Sequence, residues 1–345
     1  MRTLADNVLS YLRRHAPEPL AFWTMERSTA RPDMLSLCDT LYSLKLIGGM
    51  DLLAHDAGSR FAMLLSGYTL AGAIGKGAGP QLNVHKTAYA LGVLNLLAAY
   101  GQAVQREALR ESGWQKHKLL DRRHQPRWPW YFAHHAWRVG HWVGGIPAIV
   151  QSLWRLTPDL AVQNQLPSPS VVLHSSDALI DQETGLFRTY KIEPFQQAFR
   201  TLYRLRHDPD AGDLGGIAHL HWGNYAAGRL PYKAAPALFD RTWSMLQRRP
   251  FMESVPYCLD FDIIHLARTA IPVGDNRIVP LRIRARDYAD DINRFYDWGL
   301  DQNYSLHKLP GGLATLHECA LTAEMASVPG LRIAPVDVAR EACWI

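Results

Sequence analysis

The sequence predicts an all-α fold, and three observations carry that reading. Apolar residues recur at steps of three and four through most of the chain. Strand-like character is confined to two short runs. Prolines fall mostly between the helical segments, where they act as breaks.

Taken in order, residues 33–46, 85–99 and 130–156 are the first long helical segments. Pro147 lies inside the last of them and predicts a helix start or a kink there, because its ring removes a backbone donor. Residues 170–173 have the composition of a short strand. Helical spacing resumes at 194–206, 214–227, 234–248 and 259–270. Residues 277–283 are the second strand candidate, and helices follow over 285–298 and 313–326.

Four Gly-Gly pairs precede apolar helical stretches: Gly48-Gly49, Gly144-Gly145, Gly215-Gly216 and Gly311-Gly312. Paired glycines at a helix entry allow a tight turn and close approach of neighbouring helices. Their spacing is about two hairpins each, at roughly 40–50 residues per two-helix unit. The chain of 345 residues then reads as a single domain over 1–345, an α/α toroid of about six helical hairpins.

Composition narrows the function classes. Net charge is +5, a mild excess and less than a dedicated nucleic-acid binder usually concentrates on one face. No apolar run approaches the roughly 20 residues needed to span a bilayer; the longest, 88–100, is interrupted by Gly92 and Asn95. Residues 1–14 carry Asp6, Arg13 and Arg14 and have no apolar core of a secretory signal. Cys38, Cys258, Cys319 and Cys343 form no paired-cysteine motif, so a reduced, cytoplasmic setting is expected. The basic stretch 114–130 reads as a solvated connector or a lid over an acidic ligand.

Several segments hold side chains suited to chemistry. Asp213 is expected to cap a helix bearing His219, His221, Trp222, Asn224 and Tyr225, a dense group of polar and aromatic residues. Buried His, Trp and Asn need partners, which a hydrated or sugar-filled cavity supplies. Gly223 in that helix costs about 1 kcal/mol against alanine, so it is expected to make room for something. His219 and His221 point about 200° apart on a helix and do not converge on one ion, so no metal site is expected. Tyr257, Asp260, Asp262 and His265 form a second group, with Asp262 and His265 on one helical face. Here the two aspartates could serve as acid and base, Asp260 could cap the helix while Asp262 pairs with an arginine, or, ranked last, Asp262 and His265 could bind a metal with His219 or His221. Trp137, Arg138 and His141, with His134, form a stripe of aromatic and cationic groups that suits either a sugar or the core. His317 and Glu318 follow the last Gly-Gly pair, with His317 at the same offset as His221 from its own pair.

The run Asp181-Gln-Glu-Thr184-Gly185-Leu186-Phe187 is a tight polar turn, with Gly185 supplying positive φ. It resembles the D-x-x-T-G-L-aromatic loop of the six-hairpin glycosidases, notably the unsaturated glucuronyl and rhamnogalacturonyl hydrolases. It is also similar to the Q-x-x-G-aromatic turns of terpene cyclases and protein prenyltransferases. The glycosidases' Arg-Gly-Asn-Gly-Trp segment has as its nearest counterpart here Trp222-Gly223-Asn224-Tyr225. The resemblance implies a toroid acting on carbohydrate.

The expectation is therefore a carbohydrate-active enzyme hydrolysing a glycosidic bond in an acidic, uronate-type oligosaccharide, with no cofactor. Asp262, Asp181 and Asp260 would be the catalytic carboxylates. His219, His221, Trp222, Asn224, Tyr225, His265, Trp137, Arg138, His141, Tyr257 and His317 would bind substrate. A lyase with a His or Tyr base, a terpene-cyclase-like enzyme and a non-catalytic helical scaffold are the alternatives.

Overall fold

The computed structural model describes residues 3–15, 34–74, 80–102, 104–120, 136–187, 198, 201–202, 211–248, 251, 254–298, 300 and 303–345. In chain order the helices are α1 (Leu4–His15), α2 (Met34–Leu46), α3 (Ala57–Ser66), α4 (Val84–Ala99), α5 (Arg106–Glu111) and α6 (Lys116–Leu119). Next come α7 (Ala136–Val143), α8 (Gly145–Leu156), α9 (Pro158–Gln163), α10 (Pro169–Ser176) and α11 (Ala211–Ala226). The last five are α12 (Ala235–Leu246), α13 (Cys258–Ala270), α14 (Ile278–Trp298), α15 (Leu309–Thr322) and α16 (Val338–Ala342). The predicted helix 194–206 and the basic stretch beyond residue 120 lie largely outside the described residues.

The all-α reading holds: no strand forms among the described residues, and Ile180 and Phe187 make only an isolated antiparallel bridge. Both strand expectations are corrected. Residues 170–173 lie in α10, where Ser168 caps the N-terminus through its side chain and Pro169 occupies the first turn. Residues 277–283 open α14, entered through a turn in which Asp275 accepts from the Arg277 backbone N–H at 2.8 Å. The β-branched residues there are outvoted by these local start signals and by the apolar face they continue. Pro147 does mark a helix start, since α7 ends at Val143 and α8 begins at Gly145.

Two kinds of helix are present. In α4 the residues Thr87 to Leu97 are all buried, and in α15 so are Leu309 to Ala320. A helix apolar around its whole circumference is enclosed by others. By contrast α14 buries one stripe, Leu281, Ala285, Tyr288, Ala289, Ile292 and Tyr296, and leaves the remainder to solvent. The enclosed helices pack in sequence: α2 on α4, α4 on α8, α8 and α7 on α11, α11 on α13, α13 on α15, and α15 on α2. Around them α3 packs on α4, α10 on α8 and α11, α12 on α13, and α14 on α15.

The close approach expected of the glycine pairs is seen, but two of them lie within helices and not at a helix entry. Gly215-Gly216 and Gly311-Gly312 lie inside α11 and α15, and Asp213 is in the first turn of α11 and not before it. Their role is helix contact. A Cβ on Gly140 would lie 2.2 Å from the Gly216 carbonyl oxygen, and one on Gly144 2.3 Å from that of His219. The backbones of α7 and α11 therefore touch directly. Gly223 likewise accommodates Leu173 and Pro147 and not a ligand.

No described helix is long and apolar enough to cross a membrane. The four cysteines are present as thiols.

Candidate functional site

A cavity of about 140 Å³ opens where α4, α7, α11, α13 and α15 meet. Its wall includes His85, Tyr89, His141, His219, Tyr257 and His307. They come from five points of the chain, with His85 and Tyr89 one turn apart on α4, and the helix contacts above bring them together. The glycines flanking His141 on α7 allow the close crossing that sets its ring 4.8 Å from that of His219. His85, on α4, stacks on His141 with ring centroids 4.2 Å apart and planes within 13°. Gly311 performs the same service below, since a Cβ there would meet the Cys258 backbone nitrogen at 2.5 Å.

The histidines are chemically distinct. The Nδ1–H of His219 donates to the Gly215 carbonyl one turn earlier, which leaves the lone pair on Nε2. The Trp344 indole N–H donates to His85 Nδ1 at 3.1 Å. Burial drives the His219 pKa down to about 4, against a small opposing effect of its backbone hydrogen bond. For His85 burial comes first and neighbouring His219 and His307 second, and they lower it to about 3. His85 keeps a solvent-facing edge on the cavity, but protein encloses the rest of the ring. Both are neutral at physiological pH.

Across the cavity stands a different unit. The Nδ1 of His307 lies 3.1 Å and 3.3 Å from the two oxygens of Asp39, whose carboxylate is buried on α2. The Tyr89 hydroxyl donates to the same carboxylate at 2.7 Å. Burial and then the Asp39 charge raise the Tyr89 pKa well above its usual value, so that hydroxyl stays protonated. A carboxylate on Nδ1–H fixes the tautomer and puts the lone pair on Nε2. The Lys308 ammonium sits 5.1 Å over the ring of Tyr257.

Of the residues singled out from sequence, His141, His219 and Tyr257 line this cavity. Trp222 packs against His219 with ring centroids 4.4 Å apart, behind the wall. Trp137 and Arg138 are on α7, but their side chains lie outside the described residues, as does His134.

A second set gathers in a separate buried network. His221 stacks on Tyr232 at 4.0 Å and accepts from the Asn224 amide at 3.3 Å, and Asn224 in turn accepts from Arg229 at 2.6 Å. Arg268 donates to Glu318 and to the Tyr225 hydroxyl, which donates to Asp337 at 2.7 Å. His265 Nδ1 lies 3.3 Å from the same Glu318 oxygen. Burial alone would raise the Glu318 pKa, but Arg268 and then His265 outweigh it and hold it at about 2. His317 belongs to neither group. Its Nε2–H donates to the Leu46 carbonyl at 2.7 Å, and its Nδ1 accepts from the Val336 N–H at 2.9 Å. Both nitrogens thus serve the backbone, and the expected equivalence of His221 and His317 does not hold. His219, His265 and His317 are all buried but do not share one hollow.

The three aspartates have separate surroundings. Asp181 accepts from the backbone N–H groups of Glu183 and Thr184 at 3.0 Å each, as a turn former does, with Gly185 at φ +70°. Asp260 closes a capping box, accepting from the Tyr257 N–H at 2.8 Å, and also accepts from the Tyr288 hydroxyl. Asp262 is fully buried, and neither carboxyl oxygen has a hydrogen-bond partner. Burial, reinforced by the Asp260 charge, raises its pKa well above the carboxylate range. None of the three is among the residues lining the cavity.

Sequence reasoning missed His85, His307 and the buried role of Asp39. The one local signal was Gly140 and Gly144 on either side of His141, four residues apart on one helical face. No protein family, no curated protein and no solved structure matches this chain.

Proposed function

We propose that the chain is an enzyme working by general acid–base chemistry in this cavity, with His307 as the base and Asp39 as its orienter. The enclosing helices form an α/α toroid in this reading, supported by the order of helix contacts that runs from α2 through α15 and back to α2. The supporting observation for the chemistry is the Tyr89–Asp39–His307 chain at the cavity wall. A buried carboxylate holding an imidazole is the arrangement used wherever histidine must take a proton in a defined direction.

The substrate class we favour is an acidic carbohydrate, and the reaction is eliminative cleavage and not paired-carboxylate hydrolysis. Lys308, whose ammonium lies over the ring of the wall residue Tyr257, would supply a cation to neutralise a uronate carboxyl, which acidifies the carbon next to it. His307 Nε2 removes the proton from that carbon. The electron pair forms a carbon–carbon double bond, and the bond to the glycosidic oxygen on the adjacent carbon breaks. In this reading Tyr257, on the same wall, protonates the departing oxygen. The carboxylates expected to carry hydrolysis are employed elsewhere: Asp181 in its turn, Asp260 in its cap, and Asp262 away from the cavity lining. An isoprenoid cyclase would be served by an apolar wall, and this one carries four imidazoles.

The test is incubation with a panel of uronate oligosaccharides, reading ultraviolet absorbance of an unsaturated product alongside new reducing ends. Both signals should rise together and fall at least about a hundredfold in His307→Gln, the order of a general base. Reducing ends without absorbance would return the reaction to hydrolysis. Neither signal across the panel would remove the carbohydrate reading.

A further inference from the structure

We propose that His85, His141 and His219 bind one divalent transition-metal ion, of the class of Zn²⁺, with a further coordination position open to the cavity. The inference rests on the geometry of the three imidazoles and does not require the eliminative reaction.

One nitrogen from each ring lies within 4.8 Å of the other two. A point between three atoms so spaced is at most about 2.8 Å from each, against roughly 2.0–2.1 Å for a zinc–imidazole bond. About 0.7 Å per ligand remains to be closed, and because the His85 and His141 rings stack with planes within 13°, one of them must swing out of the stack for both in-plane lone pairs to meet at the ion. The rings come from α4, α7 and α11, three helices whose mutual positions are fixed by close packing. Three imidazoles with an open position is the donor set of catalytic zinc. His219 also has the outer partner expected of a metal ligand: its Nδ1–H is held by a backbone carbonyl, which turns the Nε2 lone pair outward. No carboxylate or thiolate competes within the set, which suits a borderline ion over Mg²⁺ or Ca²⁺.

His85 gives the proposal a specific consequence. Its Nδ1 accepts from the Trp344 indole, and a neutral imidazole has a single lone pair. Ligation by His85 therefore requires that hydrogen bond to be exchanged, either by release of Nδ1 or by rotation of the ring. Trp344 is fully buried, so the change in its surroundings is a spectroscopic reporter.

The experiment uses the full chain, stripped with a chelator and then titrated with Zn²⁺ by calorimetry and with Co²⁺ by visible absorption. The expected result is one equivalent bound and a d–d spectrum of low coordination number. Affinity should fall at least tenfold in His141→Ala and in His219→Ala and stay unchanged in the exposed control His174→Ala. No stoichiometric binding, or equal affinity in both cavity variants, overturns the proposal. Should either variant not fold, tryptophan emission decides. Zn²⁺ must change that of the wild-type chain, the change must be missing in Trp344→Phe, and a wild-type emission indifferent to Zn²⁺ overturns the proposal. Calorimetry reads no turnover, so metal binding and the lyase reading fail or survive separately.

Discussion

Replacing Glu318 by glutamine tests the electrostatics of the second network most directly. Glu318 is 1 % exposed and accepts from the Arg268 guanidinium, with His265 3.3 Å away. Its carboxyl titrates at about 2 in place of 4.5. At about 1.4 kcal/mol per pH unit, the folded protein favours the anion by roughly 3 kcal/mol. Because the folded value is depressed, this stability is fully present above pH 4.5 and is lost as pH falls through about 2. Glutamine keeps the shape and one acceptor oxygen but not the charge, so the Arg268 guanidinium loses its counter-ion and keeps neutral acceptors, the amide oxygen and the Tyr225 hydroxyl at 3.2 Å. The expected cost at pH 7 is about 3–5 kcal/mol, as for breaking other buried ion pairs. The difference from wild type should narrow steadily in urea titrations run from pH 5 down to pH 2.5. A double variant, Glu318→Gln with Arg268→Met, should recover much of the loss, since no buried charge is then stranded. A cost below about 1 kcal/mol, or one indifferent to pH, would show that the pair is solvated and that this reasoning fails.

Asp262 is expected to behave in the opposite sense. Its folded pKa is raised by burial, so wild-type stability falls as pH climbs above 3.8, and the stability of Asp262→Asn relative to wild type should rise from pH 4 to pH 7; thermal melts across that range check it. Gly144→Ala must push α7 and α8 away from the His219 carbonyl and should cost about 1–3 kcal/mol in chemical denaturation. His317→Ala strands the Leu46 carbonyl and the Val336 N–H, at about 1–3 kcal/mol for each group left unpaired, with no expected effect on catalysis beyond stability. Asp39→Asn should lower turnover and shift its pH profile while leaving His141 and His219 able to bind metal.

The helices were legible because burial writes itself as periodicity: the stripe of α14 and the unbroken apolar lengths of α4 and α15 are patterns within single segments. The two strand expectations failed where a few β-branched residues outweighed start signals next door, Ser168-Pro169 in one case and Asp275 in the other. The cavity was less visible for a physical reason. Its wall joins His85, His141, His219 and His307 from helices and turns far apart in the chain, and no short spacing records that they meet. Local polar density pointed to His221, Asn224 and Tyr225, which the fold uses to satisfy one another with Arg229, Arg268 and Asp337. Dense polar sequence marks a buried network as readily as a reactive surface. The glycines were noticed, but their meaning depends on what lies across from them, and a single segment does not contain that information.

The contact of α7 with α11 has one further consequence. Where side chains separate two helices, the gap can be tuned, because a methylene more or fewer shifts the rods and rotamers absorb the difference. Here the spacer is the main chain itself, carbonyl against Cα, which has no shorter or longer version. The interval between His141 and His219 is thus a gauge cut into the polypeptide. Changes at Gly140, Gly144 or Gly216 would reset the chamber's width.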